Sequence, residues 1–422
     1  MKKLTGMLAL VALFCNIAGA ELLKNFKYDG KIEVNAVTTN NNVDADSDVK
    51  DKSSDADIRV QLNAGFDLAE DVGAMVSAVK CNRQYGNAAG ETVAAGTADG
   101  FTFEQAYLNL NGVLGINHKV GRQYYGEEGD LVIYFGPRNW PYDWAGAANG
   151  LGVAGLDAYT GWYKGGKLEI NALLSKKTQG AASQPDSLDV DIVGVTAKYD
   201  LMEPVKLGAY VYEQKTWQVA GAADLTLDVI GVKANGKFMG FDYSAELAKN
   251  YGRKAAGVNY TGTAFLANAK YDMNILGKIT FMGEFAMGSG NKSSAGKDEG
   301  FTAIASDYRP GILMGGIGNL AGLNNLFTWN LGAKWNPEMI EKLTLKGKLY
   351  HFGTSEKVTV GPNSYDSYGN EFDLAAGWQH NANVNLKAYY AMFLPGDDYS
   401  KATLANKDDL NTALGAALTV KF

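Results

Sequence analysis

The last residues of the chain, Leu410 to Phe422, read LNTALGAALTVKF, and this stretch decides the predicted fold. Successive residues of a β-strand point to opposite faces. Every second residue from Leu410 to Phe422 therefore lies on one face, and all of these residues except Thr412 are apolar. Terminal strands of soluble domains are usually short and frayed. A long strand with one apolar face, ending on an aromatic ring, therefore predicts apolar surroundings on that face.

The same alternation recurs along the whole chain. FKYDGKIEVNA (26–36), DIRVQLNAGFDL (57–68), MGFDYSAELA (239–248) and FTWNLGAKW (327–335) each separate apolar residues from polar ones with a period of two. This pattern predicts about eighteen strands, at residues 26–37, 56–68, 72–82, 101–111, 115–123, 154–163, 167–176, 188–199, 205–215, 223–234, 238–249, 259–271, 278–288, 326–335, 343–352, 369–379, 384–394 and 409–422.

The connectors between these strands alternate in length. Tight turns such as AEDV (69–72), KGG (164–166) and ANGK (234–237) alternate with long polar stretches at 38–56, 124–152 and 290–325. This arrangement predicts an all-β fold, a transmembrane antiparallel up-and-down β-barrel with short periplasmic turns and long extracellular loops. A soluble sandwich would rarely contain so many long strands in one unbroken series. Because lipid offers no water to the backbone, the last strand should pair with the first.

The first twenty residues predict a route across the inner membrane. MKKLTGMLALVALFCNIAGA has two lysines, a short apolar stretch and Ala18-Gly19-Ala20, the pattern of a cleaved signal peptide. The apolar stretch is too short for a membrane helix. We expect a signal peptide at 1–20, one barrel domain at 21–422, and the outer membrane of a Gram-negative bacterium as the location. The acidic net charge of −7 argues against nucleic acid as a partner.

A barrel of this width encloses water, so its polar face should line a pore. Charges of both signs fall on that face, and a subset at a constriction would select solutes. The predicted pore-lining residues from the strands are Arg59, Lys198, Lys206, Lys233, Lys270, Lys346, Lys348, Lys387, Glu246, Glu284, Glu371 and Asp373. Each of them is alternatively a hydrated or cross-strand-paired wall residue.

The hairpin in GFTFEQAYLNLNGVLGINHKVGRQYYG (100–126) carries the A-Y-L and G-R-Q strands. These strands resemble the early strands of the alginate-export and related porin families. The resemblance implies a porin-sized barrel and places Arg122 at or near the pore lining. The strand phase, with His118 and Val120 on the apolar face, points Arg122 the other way unless a bulge intervenes. Members of that family line their conduit chiefly with arginine, whereas the predicted wall of this chain is rich in lysine. Because of this difference, export of a polysaccharide is kept as the alternative function and is not the main prediction.

Two long loops leave questions open. GPRNWPYDWAG (136–146) lies within loop 124–153 and carries Arg138, a further candidate pore-lining residue; this loop either folds into the lumen and narrows the pore or forms an outward cap. Loop 38–55 contains five aspartates and is either solvated or a cation site, although it lacks the pattern of an EF-hand.

The sequence thus predicts a passive diffusion channel for small hydrophilic or anionic solutes. The alternatives are an exporter of an anionic polysaccharide or a non-conducting adhesin. An enzyme is disfavoured because none of the three histidines lies in a nucleophile motif. We expect no cofactor and no metal; the expected partners are the lipid bilayer, lipopolysaccharide, small solutes, and the barrel-assembly machinery, which would read the strand ending at Phe422. No flat strand face of small apolar residues marks a subunit contact, which favours a monomer.

Overall fold

A closed antiparallel β-barrel of eighteen strands forms the molecule. The structure, a computed structural model, describes residues 24–42, 45–82, 101–137, 155–180, 188–218, 222–292, 294–318 and 320–422. The predicted signal peptide at 1–20 lies outside the described residues. Every barrel strand pairs with the next barrel strand along the chain, so the predicted up-and-down topology is confirmed.

Each predicted strand corresponds to one strand of the barrel. The barrel strands are β1 Lys24–Asn40, β2 Ser53–Asp67, β3 Val72–Asn82, β4 Thr102–Leu110, β5 Asn117–Gln123, β6 Leu156–Gly165, β7 Leu168–Thr178, β8 Val190–Met202, β9 Val205–Thr216, β10 Leu225–Phe238, β11 Phe241–Tyr251, β14 Thr263–Asn274, β15 Gly277–Gly288, β17 Leu326–Pro337, β18 Leu343–Val360, β19 Asn363–Gln379, β20 Val384–Pro395 and β21 Asn411–Lys421. The short strands β12 Arg253–Ala255, β13 Val258–Tyr260 and β16 Lys297–Asp298 form a separate small sheet.

The tight turns end the barrel on one side, and one of them was predicted in the wrong place. The turn expected at 234–237 lies inside β10, which continues to Phe238. The actual turn is Met239–Gly240, and both residues have positive φ, 49° and 85°. Two such residues form the turn whose twist matches paired strands. Short turns mark the periplasmic end of an outer-membrane barrel, and the long loops mark the extracellular end.

The barrel closes through β21 and β1, as the terminal alternation predicts. Their register runs from Lys31 opposite Lys421 to Asn40 opposite Thr412. Phe422 continues this pairing, since its backbone N–H donates to the Gly30 carbonyl at 3.0 Å and its own carbonyl accepts from the Gly30 N–H at 2.8 Å. The Phe422 ring occupies the space of a Gly30 Cβ, only 2.4 Å away, so the seam requires glycine there.

The outer wall of the barrel is apolar and exposed. Val232 is 54% exposed, Leu247 52% and Leu331 61%, and each lies in the middle of a strand. Such a continuous apolar surface on a protein requires a partner, and a closed sheet in lipid supplies the matching environment. The interior is therefore the opposite face of every strand.

Additional elements lie at the ends of the barrel. The β18–β19 hairpin is longer than predicted and contacts the α-helix α1, Asp397–Thr403. A π-helical turn spans Gly311–Ile317, and short 3-10 turns span Val113–Gly115 and Glu338–Ile340. Among the described residues, no helix is both long enough and apolar enough to cross a membrane.

Candidate pore constriction and interior wall

The first inner loop, residues 124–137, lies inside the barrel. Its Glu127 carboxylate pairs with the Lys198 ammonium on β8 at 3.0 Å, and Asp130 pairs with Lys233 on β10 at 2.7 Å. The Tyr125 hydroxyl lies 3.1 Å from that of Tyr212 on β9. All three wall residues belong to the interior face, opposite apolar neighbours such as Val232. Of the two alternatives for this loop, the described part folds into the lumen.

The second inner loop, residues 300–318, is bound to the wall by backbone groups. The N–H groups of Leu313 and Met314 donate to the two oxygens of Glu371 on β19, at 2.7 and 2.9 Å. The Ile312 N–H donates to Asp373 at 3.2 Å. These donors form the first turn of the π-helical segment, which leaves its N–H groups unpaired within the helix and favours carboxylate partners.

The two inner loops bond to each other and form one inner module. The Tyr134 N–H donates to the Ala305 carbonyl at 2.8 Å, and the Ala305 N–H donates to Val132 at 3.0 Å. The Asp307 carboxylate accepts from the Gly129 N–H at 2.9 Å. A module held by its own backbone pairing as well as by the wall can narrow the barrel as a rigid body.

Apolar packing fixes the inner module in the extracellular half of the barrel. Leu131 and Phe301 of the module are fully buried against inward-facing strand residues, and so is Leu323, which follows the second inner loop. The strand residues of this core are Leu173, Ile192, Leu227, Val229, Ala248, Ala264, Ala286, Leu326, Phe352 and Phe393. The interior face is therefore apolar at its extracellular end, where the expectation from alternation was a polar lining. The sequence signal was present in β10, where Leu227 and Val229 share the face of Lys233.

The surroundings of the first inner loop shift the pKa values of two of its side chains. The hydrogen bond and charge of Lys198 hold the pKa of Glu127 below its ordinary value. Burial raises the pKa of the Tyr125 hydroxyl. Glu127 is therefore ionised and paired, and Tyr125 is a neutral hydrogen-bonding group near neutral pH.

The register places twelve of the predicted residues on the interior face. They are Arg59, Lys198, Lys206, Lys233, Lys270, Lys346, Lys348, Lys387, Glu246, Glu284, Glu371 and Asp373. Arg59 is buried and donates to both oxygens of Glu104, at 3.3 and 3.2 Å. Glu104 also accepts from the Tyr124 hydroxyl at 2.5 Å, so this arginine supports the start of the first inner loop.

The four predicted carboxylates of the wall all accept hydrogen bonds from neighbouring groups. Glu371 and Asp373 accept the N–H groups of the second inner loop. Glu284 accepts from the Tyr308 hydroxyl and the Asn330 amide, both at 3.0 Å. Glu246 accepts from the Tyr210 hydroxyl at 2.6 Å and pairs with Lys233 at 3.3 Å. Their hydrogen bonds hold the module against the wall, and within the described part of the chain only Glu246 among them forms an ion pair.

Four lysines on β14, β17 and β18 have no such partner. Lys270, Lys334, Lys346 and Lys348 face the interior, and no carboxylate of the described residues forms an ion pair with any of them. Lys334 is directly opposite Lys346. Lys334 was not among the predicted site residues, although the alternation of FTWNLGAKW already placed it on the polar face. We call this group the lysine wall.

Comparison with known families agrees with this architecture. The family model of Gram-negative porins matches residues 7–309. The chain belongs to this family. It is therefore a porin of the outer membrane, a channel for small solutes that contacts the lipid bilayer. A comparison with curated proteins finds no match.

Solved structures with the same fold cover nearly all of the porin chain. OccK11 (OpdR) from Pseudomonas aeruginosa has a TM-score of 0.60 and 12% identity, over 95% of this chain and 97% of that one. OprD from the same organism has a TM-score of 0.57 and 10% identity, over 95% and 94%. OpdK, solved with vanillate, has a TM-score of 0.58 and 13% identity, over 95% and 100%. At these identities the likeness shows the fold alone.

Two predicted arginines do not join the interior wall. Arg122 lies on the outer face of β5 with Val120, because no bulge interrupts the β4–β5 or β5–β6 pairing. Its guanidinium binds Asp157 on β6 through two bonds, at 2.8 and 2.6 Å. The placement implied by the resemblance is therefore wrong, and the strand phase was the correct indication. Arg138 lies outside the described residues.

The interior of the porin is open near its periplasmic end. A pocket of about 490 Å³ is bounded there by β9, β10, β11 and β14. Its lining residues are Pro204, Lys206, Asn235, Gly236, Lys237, Asp242, Tyr243, Ser244, Asn268 and Lys270. This region has the polar lining that the sequence predicts for the whole interior.

The described part of loop 38–55 is bound to the loop before β21. Asp46 pairs with Lys407 at 2.9 Å, and the Ser47 N–H donates to Asp409 at 2.8 Å. The Asn41 N–H donates to Asp51 at 2.8 Å. Within the described ranges of the chain, no group of three metal-binding side chains could hold an ion. The aspartates described here stabilise a contact between two extracellular loops.

Proposed function

We propose that this porin is a passive, non-enzymatic diffusion channel that favours small anionic solutes. The proposal rests on a difference between the acidic and the basic side chains of the interior face: among the described residues, the carboxylates are bonded to neighbours, and several lysines are not. The carboxylates at 246, 284, 371 and 373 are hydrogen-bonded, three of them to the inner module. The lysine wall has no carboxylate partner among the described residues.

Because the lysine wall faces the lumen, its positive charge acts on ions that pass through the pore. Lys270 and Lys346 are exposed to the lumen, and Lys334 and Lys348 are half-exposed. Charges in a narrow opening between low-dielectric walls act more strongly than the same charges on a convex surface. Four lysines without a direct ion pair to a described residue, beside the inner module, therefore favour anions over cations in this part of the lumen.

The neighbouring OpdK structure contains vanillate, which supports extending the proposal to small organic anions. Export of a polysaccharide is disfavoured, because the inner module occupies the extracellular half of the barrel that a polymer would cross. A non-conducting adhesin would require that no ion current crosses the barrel.

Reconstitution in planar bilayers tests the proposal. The reversal potential in a KCl gradient should show preference for chloride at low salt, and the preference should shrink as salt screens the wall. A double variant, Lys270→Gln with Lys334→Gln, should reduce the preference. Lys342→Gln is the matched control, since Lys342 lies in the turn before β18 and donates to the His380 carbonyl at 2.6 Å. A cation preference, or no conductance, would contradict the proposal.

Assembly of the porin is a separate proposal. We infer that residues 1–20 are cleaved, that lipopolysaccharide contacts the outer wall, and that the assembly machinery reads the strand ending at Phe422. The support for the last inference is the Phe422 ring, which packs on Gly30 only after the barrel closes. Deletion of Phe422 should slow assembly and leave the conductance of inserted molecules unchanged; wild-type assembly kinetics would contradict it.

A further inference from the structure

The lysine wall places four lysines on three of four neighbouring strands, β14, β17 and β18, with β15 between the first two. Lys334 on β17 lies directly opposite Lys346 on β18. Lys270 on β14 and Lys348 on β18 lie in one hydrogen-bonded row, with Met282 and Gly332 between them. A row of this kind runs perpendicular to the strands, so the lysines share one patch of the interior face.

A glycine lets one of these lysines lean towards the others. A Cβ added at Gly332 would meet the Lys348 Cγ at 2.5 Å. The Lys348 stem therefore leans over β17, on the side towards β14, where Lys270 lies. Its ammonium also lies 5.2 Å from the centre of the Tyr350 ring, which fixes it by a cation–π contact.

The four lysines of the patch form no ion pair with a carboxylate of the described residues, although carboxylates are near. Asp272 is bound by Lys278 at 2.7 Å and by the Thr280 hydroxyl at 2.6 Å. Asp373 lies directly opposite Lys348, and its carboxylate accepts the backbone N–H of Ile312 at 3.2 Å. Like charges directly opposite each other on a sheet are destabilising. A bound anion would relieve this repulsion, and the more charge it carried the greater the relief.

The chemistry of the cations distinguishes which anion fits. A guanidinium is a planar fork that matches a carboxylate, whereas an ammonium is a compact charge with three donors and no fixed plane. Among the described residues the wall contains no arginine, since Arg59 binds Glu104, Arg122 lies outside and Arg309 is next to Asp307. Several separate ammonium groups suit a tetrahedral anion whose oxygens point in different directions.

We propose that the lysine wall is a binding site for phosphate, as the free ion or on a small phosphorylated solute, in preference to planar carboxylates. The inference rests on the proposed anion channel and specifies its solute. Phosphate would bind with its oxygens accepting from Lys270, Lys334, Lys346 and Lys348 and would pass towards the open periplasmic half of the lumen, which Lys206 and Lys270 help to line.

Block of the chloride current tests the site. Inorganic phosphate is compared with malonate, a dianion with planar carboxylates, at mildly alkaline pH in a planar bilayer. Phosphate should reduce the current at a concentration about tenfold lower than malonate, a difference of about 1.4 kcal/mol in binding. Equal block by the two anions, or stronger block by malonate, would overturn the inference.

Variants separate this inference from the proposed channel. Lys334→Gln should weaken phosphate block, and Lys348→Arg should keep the anion preference while shifting block from phosphate towards malonate. Lys342→Gln, in the same hairpin, should leave both blocks unchanged. If the KCl reversal potential shows anion preference but Lys348→Arg leaves the phosphate-to-malonate ratio unaltered, the phosphate site is wrong and the channel stands. A cation preference removes both.

Discussion

The two halves of the porin interior differ in construction, although the same strands supply both. In the extracellular half, inward-facing residues such as Leu173, Val229 and Phe352 are buried by the inner module. In the periplasmic half, Lys206, Asn235 and their neighbours line an open pocket. The first half resembles the core of a soluble protein, and the second a hydrated channel wall. The comparison teaches that a loop can convert part of a polar-facing sheet surface into a core, provided that the strands supply apolar side chains at that level.

This difference predicts where stability and where selectivity reside. Substitutions in the packed half should change the free energy of the inner module and the size of the opening. Substitutions in the open half should change which ions pass, with little effect on stability.

The largest effect is expected from Phe301→Ala. Phe301 is fully buried in the module core, and truncation of such an aromatic side chain costs about 3–5 kcal/mol. Amide hydrogen exchange in residues 300–318 should accelerate, and single-channel conductance should rise because the module detaches more often. Asn235→Ala in the open half is the control, with an expected change of about 0.5 kcal/mol or less. Similar amide hydrogen-exchange rates in the two variants would contradict the difference in stability between the packed and the open half.

A smaller effect is expected from Glu371→Gln. Leu313 and Met314 donate to different oxygens of this carboxylate, and an amide retains only one acceptor, so one buried N–H loses its partner at a cost of about 1–3 kcal/mol. Conductance should rise moderately. The control is Glu33→Gln, which makes the same charge change next to Lys31, 2.8 Å away on β1. If both variants alter conductance equally, the carboxylate does not hold the module.

The barrel itself was predictable from sequence because lipid imposes one rule on every strand. Alternation with a period of two must persist wherever a strand crosses the bilayer, and it located all eighteen strands. The same rule correctly placed Arg122 with Val120 on the outer face, against the implication of the resemblance. Physical periodicity was the more reliable guide at that position.

The inner module was not predictable from the same signal. Leu227 and Val229 follow the alternation of Lys233, so the pattern assigned them to a polar lining, and no local feature reveals that a loop covers them. The contact between Leu313 and Glu371 joins residues 58 positions apart. Such pairings depend on the closed barrel, which first brings the loop over the strand. The apolar inward residues at the extracellular ends of β7, β8 and β10 indicated a packed region, but they did not identify the loop that covers it.

A weaker effect on stability, with a clear effect on selectivity, is expected from Lys346→Glu in the open half. The new carboxylate faces Lys334 across the strand pair, which replaces a like-charge pair by an opposite-charge pair worth about 0.2–1 kcal/mol. Thermal stability should be unchanged or slightly higher. The reversal potential should move towards cations at low salt, and the shift should shrink at high salt. Loss of folded protein with this variant would indicate that Lys346 belongs to the packed half.

The smallest effect concerns the pH dependence of the inner module through Glu127. Lys198 holds the pKa of this carboxyl below its ordinary value of 4.5. A carboxyl whose pKa is lowered in the folded state contributes stability that is present above its unfolded pKa and is lost as the pH falls through the folded pKa. The contribution is small because both side chains are largely exposed, 61% for Lys198 and 77% for Glu127. Conductance should therefore stay constant from neutral pH down to about the ordinary carboxyl range and rise slightly only below it. Lys198→Met removes the partner, so the pKa of Glu127 should return towards its ordinary value and the slight rise in conductance at low pH should largely disappear. An identical pH profile in the two proteins would show that the module is held in place by its apolar core and by the carboxylates of β19, without help from this ion pair.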